Sequence, residues 1–382
     1  MFIKSFISFI AAHVLVLFGV SNTPTYVAPT PTIQQKVASK NVASTTSPKT
    51  TFATATKKIG VNATTTKTQT KIQTDTKAKP ITASPVKEET KVSPPVAAEP
   101  SFDFVDINTF ARKAVVNILC KTRGTELSPI SGTGVIVGPN GLILTNAHIG
   151  QYLLLRDFRG KDSVECVART GSPASPKYNL EIVYISPTWV ANNKSILKDT
   201  NPKGTGENDF AFLRITSMVD GTPLPDTIPF VPMNIGEDIN KGEPVLLVSY
   251  PAGFLGGLSI LQDLNVTSAI TNIEEVYTFK GSTIDLISVP GTVVSQRGSS
   301  GGIVADKRAT LIGIITTSSE AETTSKRGLN AITVAYINRS LQNELGINLQ
   351  QFVSQNLSDF ANLFQKTTAP TLTKIISDEL SK

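Results

Sequence analysis

Three short stretches of the sequence contain residue types that can act together as a nucleophile and its activating base. His148 ends a TNAH stretch, Asp209 begins a DFAFLRI stretch, and Ser300 is the middle residue of GSSGG. A serine hydroxyl attacks poorly at neutral pH unless a neighbouring base takes its proton, and imidazole suits that role. A carboxylate bonded to the imidazole would hold its tautomer and stabilise the imidazolium. These residues therefore indicate acyl transfer, provided that the fold brings them together.

The small residues around Ser300 serve the same chemistry. Glycines allow the backbone to approach a substrate carbonyl closely and to aim two N–H groups at one point. The GSSGG stretch alone could be a flexible linker, but apolar residues flank it on both sides, Val293-Val294 and Ile303 to Ala305. Ser299 is the competing nucleophile, and the spacing to the two following glycines favours Ser300.

The elements that must position these residues are strands. From Ser101 onward, short alternating apolar runs are broken by Gly, Pro and Asn, a pattern typical of an all-β sandwich or barrel. A GPNG turn at 138–141 predicts a hairpin of 132–137 and 142–145. After Val334 the apolar spacing becomes helical, and we expect its stripe to pack on the barrel, with docking of a partner as the alternative. Further strands are predicted at 114–120, 210–215, 244–249, 283–289 and 310–316.

With the order His, Asp, Ser, residues 108–345 resemble the chymotrypsin-like (trypsin-fold) serine proteases, and more closely their bacterial Deg/HtrA branch. The resemblance implies an all-β fold of two antiparallel β-barrels followed by a C-terminal helix, with the site in the cleft between the barrels. It implies Ser300 as nucleophile, His148 as base and Asp209 as its orienting carboxylate. The amides of Gly298 and Ser300 would form the oxyanion hole, and neither cofactor nor metal is needed.

The resemblance also places substrate-binding residues. Thr316, Thr317 and Ser318 would pair with an extended polypeptide through main-chain hydrogen bonds. Val294 would lie at the floor of the specificity pocket and Gly328 on its opposite wall. Because no carboxylate occupies that floor, we expect cleavage after small or medium apolar residues.

Two departures from the family pattern carry expectations of their own. Ser299 replaces an aspartate that animal trypsins use in activation, and no Ile-Val-Gly-Gly start is present, so we expect no activation by a new amino terminus. Residues after 366 are too few for the PDZ domain of the Deg/HtrA branch, and we expect none.

The residues before the predicted domain have a different character. Residues 1–21 combine Lys4 with a long uncharged apolar run, which predicts either a signal peptide or an N-terminal membrane anchor. Residues 22–100 are rich in Thr, Lys and Pro and are predicted to be a disordered linker. The protease domain would then span 101–366, and 367–382 would be a frayed C-terminal tail. An exported chain, secreted or anchored outside the cytoplasm, follows from this order.

The formal net charge of +6 does not indicate nucleic-acid binding. Most of the excess Lys lies between residues 21 and 100, and the remainder of the chain is slightly acidic. Specific recognition of DNA or RNA would need basic residues clustered on the folded domain. The basic linker permits only a weak contact with membrane or cell wall.

The two cysteines of the sequence, Cys120 and Cys166, lie in the predicted exported domain. An even number in an oxidising compartment is compatible with a disulfide. Two unpaired buried thiols are equally compatible, because strand adjacency is not visible in the sequence.

The expected function is that of an extracytoplasmic serine endopeptidase that hydrolyses polypeptides through an acyl-enzyme. Two alternatives stay open from the sequence. One is a catalytically inactive protease-fold module that binds partners at the cell surface, and the other is an esterase with the same residues.

Overall fold

The computed structural model of the protein describes residues 102–199, 204–253, 255–318 and 327–382. The predicted signal or anchor at 1–21 and the predicted linker at 22–100 lie outside these residues. Within the described ranges, no helix has the length and apolar character needed to cross a membrane.

Six antiparallel strands close into a barrel, called here the first barrel. They are β1 (Val115–Thr122), β2 (Ile130–Ile136), β3 (Leu142–Thr145), β4 (Val164–Thr170), β5 (Ser175–Ile185) and β6 (Ala211–Met218). Their order around the barrel is β1-β2-β3-β6-β5-β4. Buried side chains from all six strands fill its interior.

Seven antiparallel strands form a second sheet. They are β7 (Pro244–Ser249), β8 (Thr267–Asn272), β9 (Glu275–Tyr277), β10 (Leu286–Val289), β11 (Ile303–Ala305), β12 (Leu311–Ser318) and β13 (Leu329–Thr333). Their order is β8-β7-β11-β12-β13-β10-β9. The all-β architecture with two strand assemblies is confirmed, although the second is a sheet whose end strands β8 and β9 do not pair with each other in the described part of the chain.

The hairpin between β2 and β3 shows how a local signal sets the position of the site. Gly141 has φ +77°, a left-handed conformation that favours glycine, and its N–H donates to the oxygen of Gly138 at 3.0 Å. A Cβ at Gly141 would lie 3.0 Å from Cβ of Ile215. The tight turn sends β3 back along β2, so that β3 ends at Thr145, three residues before His148.

The helical segment predicted after Val334 is present, and its apolar stripe packs on the barrel as expected. Phe352 packs 4.7 Å from Phe212 of β6, and Phe364 packs 6.2 Å from Tyr184 of β5, both measured between ring centroids. The stripe therefore covers the first barrel. In the described residues the α-helices are α1 (Phe104–Ala114), α2 (Ala147–Leu154), α3 (Pro187–Asn192), α4 (Gly257–Gln262), α5 (Val334–Leu345), α6 (Leu349–Val353), α7 (Leu357–Thr367) and α8 (Ala369–Leu380).

The prediction of a frayed tail at 367–382 was wrong. Residues Ala369–Leu380 form α8, which has Pro370 in its first turn, where proline is tolerated. Leu372 and Ile376 lie one helical turn apart, and both are buried. The hydroxyl of Thr373 donates to the main-chain oxygen of Leu154 at 3.0 Å. An apolar face this short is easily missed in sequence, but it suffices to dock the helix.

Cys120 and Cys166 are joined by a disulfide bond. Cys120 on β1 lies directly opposite Cys166 on β4, and the two Cα atoms are 4.0 Å apart. The sequence left the choice between a disulfide and two thiols open, and the pairing of β1 with β4 decides it. The bond closes a loop with a sequence separation of 46 residues.

We expect the double variant Cys120→Ala/Cys166→Ala to unfold with a free energy about 4 kcal/mol lower than that of the oxidised wild type, because the disulfide limits the entropy of the unfolded chain. Denaturant unfolding followed by circular dichroism measures the difference. Reductant should lower the stability of the wild type toward that of the variant and leave the variant unchanged. Equal stability of the variant and the oxidised wild type would contradict the prediction.

Candidate active site

His148 lies in the first turn of α2, immediately after β3. Its Nδ1 is 2.8 Å from Oδ2 of Asp209, and its main-chain N–H donates to Oδ1 of the same carboxylate at 3.0 Å. An ionised carboxylate only accepts hydrogen bonds, so Nδ1 carries the proton and Nε2 is left free to accept one. The imidazole is only partly buried, with 23% of its side chain exposed. It is thus oriented from one side and accessible from the other.

Asp209 lies in the turn before β6 and is almost entirely buried. Besides the two bonds from His148, its Oδ2 accepts a hydrogen bond from Oγ1 of Thr316 at 2.7 Å. Burial alone would raise the pKa of this carboxyl group. The charge of the His148 imidazolium and the hydrogen bonds from His148 and Thr316 outweigh burial and lower the pKa below its ordinary value. Asp209 is therefore a carboxylate at neutral pH.

Asn208 sets the turn that carries Asp209, and the sequence reasoning missed it. Its φ is +57°, a left-handed conformation that asparagine tolerates better than most residues. Tyr336 and Ser340 of α5 each donate a hydroxyl hydrogen bond to Oδ1 of Asn208, both at 2.8 Å. Helix α5 thus holds the residue next to Asp209. The hydrogen bonds join residues more than 120 positions apart, so only the fold could reveal them.

The turn that carries Ser300 has four consecutive peptide groups whose carbonyls are all bound. The carbonyl of Arg297 accepts from Ala252 N–H at 2.7 Å and that of Ser299 from Gly302 N–H at 2.9 Å. Thr133 binds the other two, with its hydroxyl to Gly298 at 2.7 Å and its N–H to Ser300 at 2.8 Å.

The N–H groups of the same four peptides divide into two pairs. Those of Ser299 and Gly301 donate to Gln296 and Ile315, at 3.2 and 2.7 Å. Among the described residues, no acceptor binds the N–H of Gly298 or of Ser300. Because C=O and N–H point in opposite directions in a trans peptide, the bound carbonyls fix the directions of these two free donors. The pair that the family resemblance assigned to an oxyanion hole is thus unengaged and available to a ligand.

Gly298 is required by the shape of this turn. Its φ is +93°, and a Cβ there would lie 2.8 Å from the main-chain oxygen of Tyr250 and 3.0 Å from the amide nitrogen of Ala252. Both atoms belong to backbone and cannot move away cheaply. Glycine is therefore the residue that allows the close approach.

Ser299 and Ser300 differ completely in their surroundings. Ser299 is 1% exposed, its hydroxyl donates to the oxygen of Val294 at 2.6 Å, and it receives a hydrogen bond from Ser249 at 2.9 Å. Its side chain therefore faces the protein interior and braces the turn. Ser300 is half-buried, and its Oγ lies 3.5 Å from the main-chain oxygen of Thr316.

Thr316 brings the three sequence-predicted residues together, because its hydroxyl binds Asp209 and its main-chain oxygen faces Ser300. In the described part of the chain, however, no hydrogen bond joins Nε2 of His148 to Oγ of Ser300. The arrangement contains an oriented imidazole, a separate serine hydroxyl and two free amides. Rotation of the serine side chain about χ1 is the change that could direct its hydroxyl away from Thr316.

The predicted pairing segment of β12 has one open edge. On one side Thr317 and Ser318 pair with Asn330 and Leu329 of β13. On the other side, the β11 register ends at Ile314, and none of the described strands continues opposite residues 316–318. The hydroxyl of Thr316 is already committed to Asp209, so only main-chain atoms of this residue remain for a bound chain.

The two pocket residues fare differently. The side chain of Val294 is 0% exposed and belongs to the core of the second sheet, so it does not line an accessible surface, and that prediction was wrong. Valine is apolar and packs readily into the core. Its spacing from Ser300 in the sequence could not distinguish a core position from a pocket floor. Gly328 is half-buried immediately before β13, and its role in a pocket stays a prediction.

Thr133 is the second residue that the sequence reasoning missed. It lies on β2 of the first barrel, between two glycines, and it is fully buried. The signal available in the sequence was a polar residue inside a predicted strand, which does not reveal its partner. Its contacts with Gly298 and Ser300 depend on how the barrel meets the second sheet.

Residues 132–314 match the family model of the trypsin-like peptidase domain. Among similar solved structures, Deg5 is 18% identical with a TM-score of 0.41, over 62% of this chain and 90% of that chain. The serine endoprotease from Yersinia pestis is 20% identical with a TM-score of 0.40, over 65% of this chain and 68% of that chain. No curated protein sequence matches.

Proposed function

We propose that this chain, whose residues 132–314 have the trypsin-like peptidase fold, is a serine endopeptidase. The observation that carries the proposal is the pair of free amides at Gly298 and Ser300, fixed beside an imidazole that Asp209 already orients. Two such donors are what a tetrahedral intermediate needs for its oxyanion.

In the proposed reaction, Ser300 Oγ attacks the substrate carbonyl carbon and His148 Nε2 takes the hydroxyl proton. A carbon–oxygen bond forms, and the carbonyl electrons move onto the oxygen that the two amides bind. His148 then passes the proton to the leaving nitrogen, the carbon–nitrogen bond breaks, and an acyl-enzyme remains. Water repeats these steps in the second half, with His148 again acting as base and then as acid. Asp209 stabilises the imidazolium in both halves.

Polypeptide substrates would dock on the open edge of β12. An extended chain can add as a strand there through main-chain atoms of residues 316–318, which makes no demand on side-chain sequence. Selectivity would come from the residues around Ser300, with Gly328 as a predicted wall. Because Val294 is buried in the core, its side chain does not form the floor of a specificity pocket. The expected cleavage after small or medium apolar residues therefore has no support from Val294.

We also propose that the enzyme acts outside the cytoplasm, secreted or held by its N-terminal segment. The support is the apolar run within residues 1–21 together with the disulfide between Cys120 and Cys166, because disulfides persist in oxidising compartments. The basic linker would then have membrane or cell wall within reach.

The alternative function is a catalytically inactive protease-fold module that binds partners at the cell surface. One observation favours it, namely that Ser300 Oγ faces the oxygen of Thr316 and is not bonded to His148. On the endopeptidase proposal this is a resting rotamer that substrate displaces.

The deciding experiment treats the purified full chain with a fluorophosphonate probe, and separately with an unfolded protein substrate and a simple ester. We expect labelling at Ser300 and cleavage of the unfolded protein. Labelling with ester hydrolysis but no proteolysis would indicate an esterase. A folded wild type, verified by circular dichroism, that is neither labelled nor able to cut would overturn the endopeptidase proposal in favour of the binding module.

A further inference from the structure

Thr133 connects the first barrel to the turn that carries Ser300. It lies on β2, with 0% exposure, and contacts the turn through both its side chain and its backbone. Its Oγ1 donates to the oxygen of Gly298 at 2.7 Å and accepts from the N–H of Tyr250 at 3.0 Å. Its own N–H donates to the oxygen of Ser300 at 2.8 Å.

The carbonyl that the hydroxyl binds has a special position in the turn. The peptide between Gly298 and Ser299 lies directly between the two free N–H groups, those of Gly298 and Ser300. Rotation of this peptide would change the direction of one free N–H relative to the other. Its N–H end donates to Gln296 at 3.2 Å, and its C=O end is held by Thr133.

The hydrogen bond from Tyr250 N–H to Thr133 Oγ1 also helps to hold the preceding peptide, between Arg297 and Gly298. Ala252, two residues after Tyr250, uses its N–H to hold the carbonyl of Arg297 at 2.7 Å, and that carbonyl fixes the direction of the Gly298 N–H. The hydroxyl of Thr133 therefore binds the turn and, through Tyr250, the segment that braces it. A hydroxyl can do both because it donates one hydrogen bond while it accepts another.

We propose that Thr133 is a positioning residue. Its hydroxyl holds the Gly298 and Ser300 amides in the geometry needed to bind the oxyanion. The inference rests on the proposed peptidase function and adds to it a residue of the first barrel that hydrogen-bonds the main chain of Ser300 and not its hydroxyl. It predicts that the loss of this hydroxyl weakens binding of the transition state more than binding of the substrate.

The test compares variants that separate shape from hydrogen bonding. Thr133→Val keeps the shape and removes the hydroxyl, whereas Thr133→Ser keeps the hydroxyl and removes a methyl group. We expect Val to lower kcat by about 10- to 100-fold, less than the 10²–10³-fold reported for loss of an oxyanion donor itself, with KM changed less than about 3-fold. Ser should restore kcat to within about 3-fold of wild type. Rates are expressed per folded molecule, with the folded fraction taken from thermal unfolding.

A matched control comes from the same barrel. The Thr122 hydroxyl also donates to a main-chain oxygen, that of Leu127 at 2.6 Å, but it does not contact the Ser300 turn. Thr122→Val should lower the melting temperature and leave kcat and KM unchanged. If Thr133→Val does not fold, Thr133→Cys replaces it, because a thiol is a much weaker hydrogen-bond donor and acceptor than a hydroxyl. Cys should then lower kcat about 10-fold relative to Ser.

A wild-type kcat in folded Thr133→Val, or in Thr133→Cys where that variant replaces it, overturns the inference. So does an equal loss in Thr133→Ser, which would assign the effect to the methyl group, or a loss confined to KM. Failure of the proposed function gives a different pattern, because wild type and Ser300→Ala would then be equally inactive toward protein and probe alike.

Discussion

Ser300→Ala is expected to lower kcat for peptide hydrolysis by about 10⁶-fold, the scale of nucleophile removal in a serine protease. The reason is that Ser299, the other serine of the GSSGG stretch, cannot replace it. Ser299, its neighbour in sequence, is buried and bonded to Val294 and Ser249, so its oxygen faces away from His148 and cannot attack a bound carbonyl. Residual hydrolysis would come from the two amides and from substrate binding alone.

The measurement is burst and steady-state hydrolysis of a peptide ester by the full chain, together with mass spectrometry of the fluorophosphonate adduct. Ser299→Ala is the matched control, because it removes an adjacent hydroxyl of the same type. We expect Ser299→Ala to be labelled at Ser300 and to unfold more easily by about 1–2 kcal/mol, the cost of a lost buried hydrogen bond. An adduct on Ser299, or hydrolysis by Ser300→Ala above one hundredth of the wild-type rate, would contradict the assignment of Ser300.

The roles of these serines show what sequence can establish. The GSSGG motif narrows the nucleophile to two neighbours, and spacing favours Ser300. The contacts that separate the two, from Ser299 to Val294 and to Ser249, depend on how β7 packs against the loop before the turn. Strand runs and the helical stripe were predictable because hydrophobic periodicity reports the buried face of each element directly.

The residues that sequence reasoning missed have partners far away in the chain. Thr133 binds Gly298 across 165 positions, and Asn208 binds Tyr336 across 128. A polar residue inside a strand and an asparagine in a turn are both common, so nothing local identifies their distant partners. Val294 gave the opposite error, because an apolar residue near a nucleophile fits a pocket and a core equally well until burial is known. Both kinds of error arise where tertiary packing, and not local pattern, determines the role.

Asp209→Asn is expected to lower kcat by about 10⁴-fold while the fold is kept. The carboxylate accepts three hydrogen bonds, from the ring and the main chain of His148 and from Thr316. An asparagine has one oxygen and one NH₂ group. If the oxygen faces Nδ1, the NH₂ group meets the His148 N–H. If the NH₂ group faces Nδ1, it forces the proton onto Nε2 and removes the base. The first orientation places two hydrogen-bond donors against each other, and the second imposes the wrong tautomer on His148.

The pH dependence of stability gives an independent reading of the same carboxylate. The folded-state pKa of Asp209 is lowered. Its stabilising contribution is therefore fully present above the unfolded value of about 3.9 and is lost as pH falls through the folded value. The difference in unfolding free energy between wild type and Asp209→Asn should therefore shrink as the pH falls below about 4. A difference that instead grows below about pH 4 would contradict the lowered pKa.

The matched control for Asp209 is Asp285, a second buried carboxylate of the described chain. Asp285 accepts hydrogen bonds from Phe279 N–H, from Thr283 and from Arg339, away from His148 and Ser300. Asp285→Asn should lower the melting temperature, because it leaves Arg339 without part of its counter-charge, and should keep kcat within a few-fold of wild type. If both variants lost kcat equally, the loss would reflect general damage to the fold. If only Asp209→Asn loses kcat, the loss is assigned to the tautomer of His148, because Asp209 contacts His148 and Asp285 does not.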